Sequence, residues 1–170
     1  MSDPHRYDVL VIGGGPSGSA AAYWLAKAGH DVLVVEKKTF PRDKTCGDGL
    51  TPRAVYQLEQ MGLTDELAKY HRYDGLRAVA HGKSIEMPWP QHSVFPSYGY
   101  VVRRSELDSF VAQHAVDAGA TLWQGCEAVA PLLRNGLVVG ATVKHKHPDG
   151  ADADRVEDVE ARYVVIADGS

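Results

Sequence analysis

Two short apolar runs, each closed by a turn or charge signal, organise the first part of the chain. Val9 to Ile12 runs into Gly13, and Val32 to Val35 runs into Glu36. Runs of this length predict strands. Between them, small residues from Pro16 onward predict a helix that Gly29 ends. Lys37 to Leu50 carries a proline and two glycines and reads as irregular. Thr51-Pro52 then reads as an N-cap and first helical residue, Val55, Leu58 and Met61 form an apolar stripe, and Gly62 stops it. Thr64 to Tyr70 predicts a short second helix. Leu76 to His81 and Ser84 to Met87 alternate around His81-Gly82-Lys83, a hairpin pattern.

Pro88-Trp89-Pro90, Pro96 and Tyr98-Gly99-Tyr100 read as the edge of a different sheet. Ser105-Glu106-Leu107-Asp108 resembles a capping box. It opens a helix whose periodic positions are Leu107, Phe110, Val111, His114, Ala115 and Ala118, and Gly119 is its C-cap. Thr121 to Gln124 is a short strand. Residues 127–133 and 137–147 form a hairpin across Arg134-Asn135-Gly136. Residues 148–155 are a polar loop, and Glu157 to Ala167 is a returning strand. No internal repeat is present. Strand, helix and strand in alternation predict an α/β, Rossmann-like domain over residues 1–72 and 103–170, with 73–102 expected as part of the sheet of a second, substrate-facing domain. A chain that stops just past a core strand, at Asp168-Gly169-Ser170, reads as the amino-terminal piece of a longer, truncated protein.

Composition narrows this little. With 170 residues, 44% hydrophobic and 24% charged, the chain is ordinary for a globular domain. A net charge of −4 gives no electrostatic reason for nucleic acid. Two cysteines, Cys46 and Cys126, in unrelated contexts argue against a disulfide framework and for a reducing cytoplasm. Met1 to Asp8 has no signal-peptide character, and no apolar stretch approaches the roughly 20 residues of a membrane span, so membrane contact is expected to be peripheral. His145 and His147 on one strand raise a metal, but no Cys or acid at ligand spacing accompanies them; a solvated strand edge is the plainer reading.

The chemistry lies in the first glycines. Strand, glycine turn, helix, strand and terminal acid follow in the order of a dinucleotide site. Gly13 permits the tight turn, Gly15 leaves the backbone bare for a pyrophosphate, and Gly18 lets the helix pack against the strand. The helix start at Pro16 and Ser17 offers unpaired N–H groups and a partial positive charge. Glu36 can accept from both hydroxyls of an adenosine ribose, and its charge opposes a 2′-phosphate there. Three such glycines alone arise by chance in roughly 0.17 of chains of this composition; with Gly29 and the acid the figure is roughly 0.002.

Four stretches then line up: the glycine turn with Glu36, Phe40-Pro41-Arg42-Asp43-Lys44-Thr45-Cys46-Gly47-Asp48-Gly49-Leu50-Thr51-Pro52-Arg53, Arg104 with Leu107-Asp108, and Ala167-Asp168-Gly169-Ser170. Together they resemble the flavoproteins that include aromatic-ring hydroxylases. The second stretch is similar to the geranylgeranyl reductase family, and within it to the branch that reduces a double bond of a menaquinone tail. The resemblance implies FAD as cofactor and NAD(P)H as a candidate electron donor. It implies a lipophilic isoprenoid or quinone substrate, and peripheral contact at the inner face of the membrane. It assigns Gly13, Gly15, Gly18 and Glu36 to the ADP half of FAD, and Pro16, Ser17 and Lys37 are expected among the cofactor-binding residues. Arg42, Lys44, Cys46, Gly47, Asp48 and Gly49 are assigned along the cofactor, Cys46 near the flavin as the one catalytic candidate. Arg104 is implied at the phosphates, Ala128 beside the adenine, and Asp168 and Gly169 at the start of a second fingerprint.

The residues alone leave alternatives. Arg104 suits a surface ion pair with Glu106 or Asp108 as well as a phosphate. Cys46 suits an inert role, and Asp48 a turn. Trp89, Tyr98 and Tyr100 suit packed aromatics as well as a substrate channel. An aromatic monooxygenase of the same fold, or a nucleotide-binding piece without turnover, are the competing functional readings. The oligomeric state is left open.

Overall fold

The computed structural model describes residues 6–146 and 155–169. In chain order the elements are β1 (Arg6–Ile12), α1 (Pro16–Lys27), β2 (Val32–Glu36), β3 (Gly49–Leu50), α2 (Pro52–Gln60), α3 (Thr64–Leu67), β4 (His71–Tyr73) and β5 (Gly75–Ala80). They continue with β6 (Lys83–Pro88), β7 (Gly99–Val101), α4 (Arg104–Asp117), β8 (Thr121–Gln124), β9 (Cys126–Arg134), β10 (Leu137–His145) and β11 (Arg155–Ile166). The chain divides into two compact units, Met1–Asp43 with Ser105–Ser170, and Lys44–Arg104.

The first unit is built on one six-stranded sheet of order β8-β2-β1-β11-β10-β9. Its first four strands are parallel, and β10 and β9 run antiparallel. The α/β expectation holds, and the apolar runs explain why. Leu10, Val11, Val32 and Leu33 are fully buried, as central parallel strands covered on both faces require. β11 joins the two regimes. Its first half pairs antiparallel with β10 from Arg155 to Glu160, and its second half pairs parallel with β1 from Glu160 to Ile166. Tyr7, Leu10, Leu33, Val35, Cys126, Ala141, Val143, Val159 and Ala161 pack into one core across this seam. The turn between β9 and β10 falls at Asn135 and Gly136, both with positive φ, as the Asn-Gly signal predicts.

The second unit holds a three-stranded sheet of order β3-β7-β4 and the β5–β6 hairpin. It begins at Lys44, ahead of the 73–102 stretch, because β3 and β4 both pair with β7 and draw residues 44–72 to it. Helix α3 is a single turn, shorter than the Thr64–Tyr70 expectation. Thr51 sits at the N-cap of α2 without a side-chain capping bond, and Pro52 holds the first helical position. Helix α4 begins at Arg104, one residue before the capping-box serine. The polar loop of residues 148–155 lies almost wholly outside the described residues, as do His147 and Ser170.

Candidate functional site

The site sits in the first unit, at the end of β1, where the chain turns into α1. Gly13 has φ +100°, and a Cβ there would lie 2.5 Å from the carbonyl oxygen of Ala167. The turn therefore packs its backbone directly against the segment leading to Asp168. A Cβ on Gly18 would lie 1.9 Å from the Gly13 carbonyl oxygen, so α1 can start here only with glycine at that position. Gly15 is different. As the N-cap of α1 it has φ −70°, and a Cβ there would meet one atom within 4 Å, the Nη2 of Arg42 at 3.4 Å. Its backbone is bare, and the helix that starts at Pro16 carries no acid in its first turn. This is a cradle shaped for an anion.

Glu36 ends β2 beside this bend and is buried. Its Oε2 accepts from the Gly14 N–H at 2.9 Å, and its Oε1 accepts from the Lys38 N–H at 3.0 Å. The acid and the glycine turn are thus joined directly. Gly14 lies outside the sequence motif, yet a Cβ there would meet the Glu36 Cβ at 3.1 Å. The Ser19 hydroxyl, fully buried, donates to the Gly14 carbonyl at 2.9 Å and ties the turn from the helix side.

Arg42 closes the arrangement. Its Nη2 lies 3.2 Å from Asp108 Oδ2 and 3.6 Å from Glu36 Oε2. Its guanidinium lies over the Phe40 ring, 5.4 Å from the centroid. Its Nε–H is buried and has no hydrogen-bond partner among the described residues. Asp108, on α4, is fully buried. Sequence reasoning places Asp108 at a helix start and misses this pairing. A signal is present: Asp108 shares the buried stripe of α4 with Leu107, Val111, Ala112 and Ala115, and an acid on a buried stripe requires a partner.

Of the other predicted residues, Ala128 and Asp168 line one open apolar groove of about 490 Å³ with Ile12, Val129, Tyr163 and Ile166. Gly169 and Ser17 are exposed, and so is Lys37. Lys44, Cys46, Gly47, Asp48 and Gly49 belong to the second unit and are exposed there. Asp48 acts locally. Its Oδ1 accepts from the Arg104 N–H at 3.0 Å, and its carbonyl accepts from the Val102 N–H at 2.8 Å. Of the two acids offered as ion-pair partners for Arg104, Asp108 faces Arg42. Tyr98 and Tyr100 pack edge to face at 5.8 Å, and the Arg72 guanidinium lies 4.1 Å from the Tyr98 centroid. Both cysteines are free, Cys46 exposed and Cys126 buried.

Residues 6–170 match the FAD binding domain family. The chain belongs to this family. Over its whole length the FAD-binding-domain chain is 47% identical to a menaquinone reductase from Mycobacterium tuberculosis, covering 39% of that protein. It superimposes on the myxobacterial chondrochloren halogenase CndH, an FAD-dependent halogenase, with a TM-score of 0.84 and 27% identity, over 98% of this chain and 38% of the other. It also superimposes on a geranylgeranyl bacteriochlorophyll reductase-like protein from Thermoplasma acidophilum, with a TM-score of 0.79 and 30% identity, over 97% and 40% of the two chains. The chain spans about 39% of the length of the curated relatives it matches. Among the described residues no helix is long and apolar enough to cross a membrane.

Proposed function

We propose that this chain is the FAD-binding part of a flavin-dependent reductase that saturates a carbon–carbon double bond in an isoprenoid chain, the tail of a menaquinone or a geranylgeranyl group. The observation that carries the cofactor reading is the direct bond from the Gly14 N–H to Glu36 beside the bare Gly15 backbone. The residues fit FAD on their own chemistry. Glu36 presents a carboxylate for ribose hydroxyls, Gly15 and the start of α1 present N–H groups to a diphosphate, and Arg42 has an unsatisfied buried donor beside them. The likeness to menaquinone and digeranylgeranylglycerophospholipid reductases supports the substrate class.

When bound, FAD, held by Glu36, Gly15 and Arg42, would supply hydride-transfer chemistry between a reduced donor, which we take to be NAD(P)H, and the alkene. The chain's own contribution is to hold. Gly13 and Gly18 fix the turn in one shape, so the N–H groups at the helix start point the same way before any ligand arrives. Glu36 is held by two backbone N–H donors, which fixes the orientation of its carboxylate. We assign Ala128, Asp168 and Gly169 to the same cofactor site. Because the substrates are apolar lipids, we expect the enzyme to work at the membrane surface without spanning it.

This chain alone is expected to lack turnover, so the test is incubation of the full-length reductase that contains it, loaded with FAD, with a polyprenyl menaquinone and NAD(P)H, followed by mass spectrometry of the lipid. Gain of two hydrogens in the tail is the expected product. Oxygen inserted into an aromatic substrate, with the quinone tail untouched, would replace this reading with that of a monooxygenase.

A further inference from the structure

We propose that Asp108 is a positioning residue that holds the Arg42 guanidinium against the bend at Gly15 and thereby sets the affinity for a dinucleotide diphosphate. The proposal rests on the FAD reading above. Three observations carry it. Asp108 is fully buried, on the core-facing stripe of α4, where an apolar residue would pack without electrostatic cost. Its carboxylate lies 3.2 Å from Arg42 Nη2, and that same nitrogen lies 3.4 Å from where a Gly15 Cβ would be. The Arg42 side chain is 10% exposed, and its buried Nε–H finds no acceptor among the described residues.

A buried arginine with a donor left over costs free energy unless something else accepts from it. A diphosphate laid on the bare backbone at Gly15 would bring anionic oxygens to the guanidinium. Charge accounts for the second acid. Glu36 and the diphosphate carry the same sign, and Arg42 stands 3.6 Å from Glu36. Without a fixed cation between them the site would repel its own ligand. Arginine has many rotamers, and Phe40 beneath the guanidinium and Asp108 beside it limit them. Asp108 thus acts on the ligand through Arg42 and touches no ligand itself.

The experiment is equilibrium titration of the full chain with FAD, followed by flavin fluorescence, for the native chain, Asp108→Asn, Arg42→Met and the double variant. Asp108→Asn raises the Kd for FAD roughly tenfold, the weight of a charged hydrogen bond. Arg42→Met raises it at least as much, and the double variant is no weaker than Arg42→Met, because Asp108 works only through Arg42. Arg42→Lys, which keeps the charge and loses the planar fork, recovers only part of the affinity. A merely structural Asp108 lowers the melting temperature and leaves the Kd of the folded protein alone. Native-like FAD affinity in Asp108→Asn, or penalties that multiply in the double variant, overturn the proposal alone. A native chain that binds no FAD overturns the cofactor reading and the proposal with it. Should Asp108→Asn fail to fold, Arg42→Met with Asp108→Leu is compared with Arg42→Met: a Kd no higher than that of Arg42→Met supports the proposal, and a higher one overturns it.

Discussion

At the scale of the residue, the three motif glycines have separate physical jobs, and the structure assigns a different cost to losing each. A Cβ on Gly18 would meet the Gly13 carbonyl oxygen at a distance no Cβ can tolerate, and that neighbour is backbone, with the Val11 side chain next at 3.2 Å. Gly15 has ordinary dihedrals and faces only the end of a flexible side chain. Gly18→Ala is therefore expected to lose about 1–3 kcal/mol of stability or more, as for an overpacked core. Gly15→Ala is expected to change stability by less than about 1 kcal/mol, since alanine is only a poorer N-cap, while weakening FAD binding. Urea unfolding beside FAD titration checks both. Equal destabilisation by the two substitutions would refute the division of labour. The motif reading anticipates the close approach at Gly18 and the bare backbone at Gly15. It does not anticipate Gly14, Ser19 or Asp108, whose importance comes from partners that a spacing pattern does not specify.

At the scale of the element, the contrast is between strands with neighbours on both sides and strands without. β1 is paired on both sides and buried, whereas among the described residues β5 and β6 pair only with each other. Leu76 opposite Met87 and Ala78 opposite Ile85 place apolar side chains on one face of this hairpin, and the Arg77–Glu86 ion pair lies on the other. Val79, Ile85 and Met87 are all exposed. An isolated two-stranded hairpin is marginal in water. Amides of Leu76 to Met87 in this chain are expected to exchange with deuterium on the order of 100-fold faster than those of β1 and β2. Equal protection across these strands would contradict that. The period-two pattern makes the hairpin legible, but an alternating pattern is silent about what a strand pairs with. The same gap explains His145. Its strand is legible and its surroundings are not: Nδ1 lies 3.1 Å from Cys126 Sγ on β9 and Nε2 lies 2.5 Å from Glu157 Oε1 on β11. It is half-buried, not a solvated edge. Among the described residues no cluster of His, Cys, Asp or Glu is arranged to hold a metal ion.

At the scale of the whole molecule, both units contain groups that keep their protons better when folded. In the first unit, burial pushes the Cys126 thiol up, with the Glu157 carboxylate adding to it, and burial pushes the Tyr7 phenol up, aided by Asp31 and Glu157. In the second, burial raises Tyr73, and burial followed by the hydrogen bond to Glu59 raises Tyr98. A raised folded pKa contributes stability that is complete below the unfolded value and is lost as pH climbs through the folded one. The unfolded values are about 8.5 for Cys and about 10 for Tyr. The urea midpoint is expected to fall steadily between about pH 8 and about pH 10.5. A flat midpoint across that window would count against it. On the acid side Asp8 has the opposite sign. The Asp31 N–H holds its carboxyl below the usual range, so its contribution fades as pH falls through the folded value.

From the sequence alone, the strand–turn–helix–strand unit from Val9 to Glu36 could be derived, together with its glycine cradle and the acid at its end. Each step there depends on neighbours in the chain: backbone freedom at a glycine, the period of apolar residues, the polarity of a helix terminus. Only the tertiary structure decided that β11 would serve two strands in opposite senses, that residues 44–72 would group with the second unit, and that a buried acid on α4 would face Arg42. Those outcomes depend on pairing between distant segments, where many partners satisfy the same local pattern and only packing and charge compensation select one.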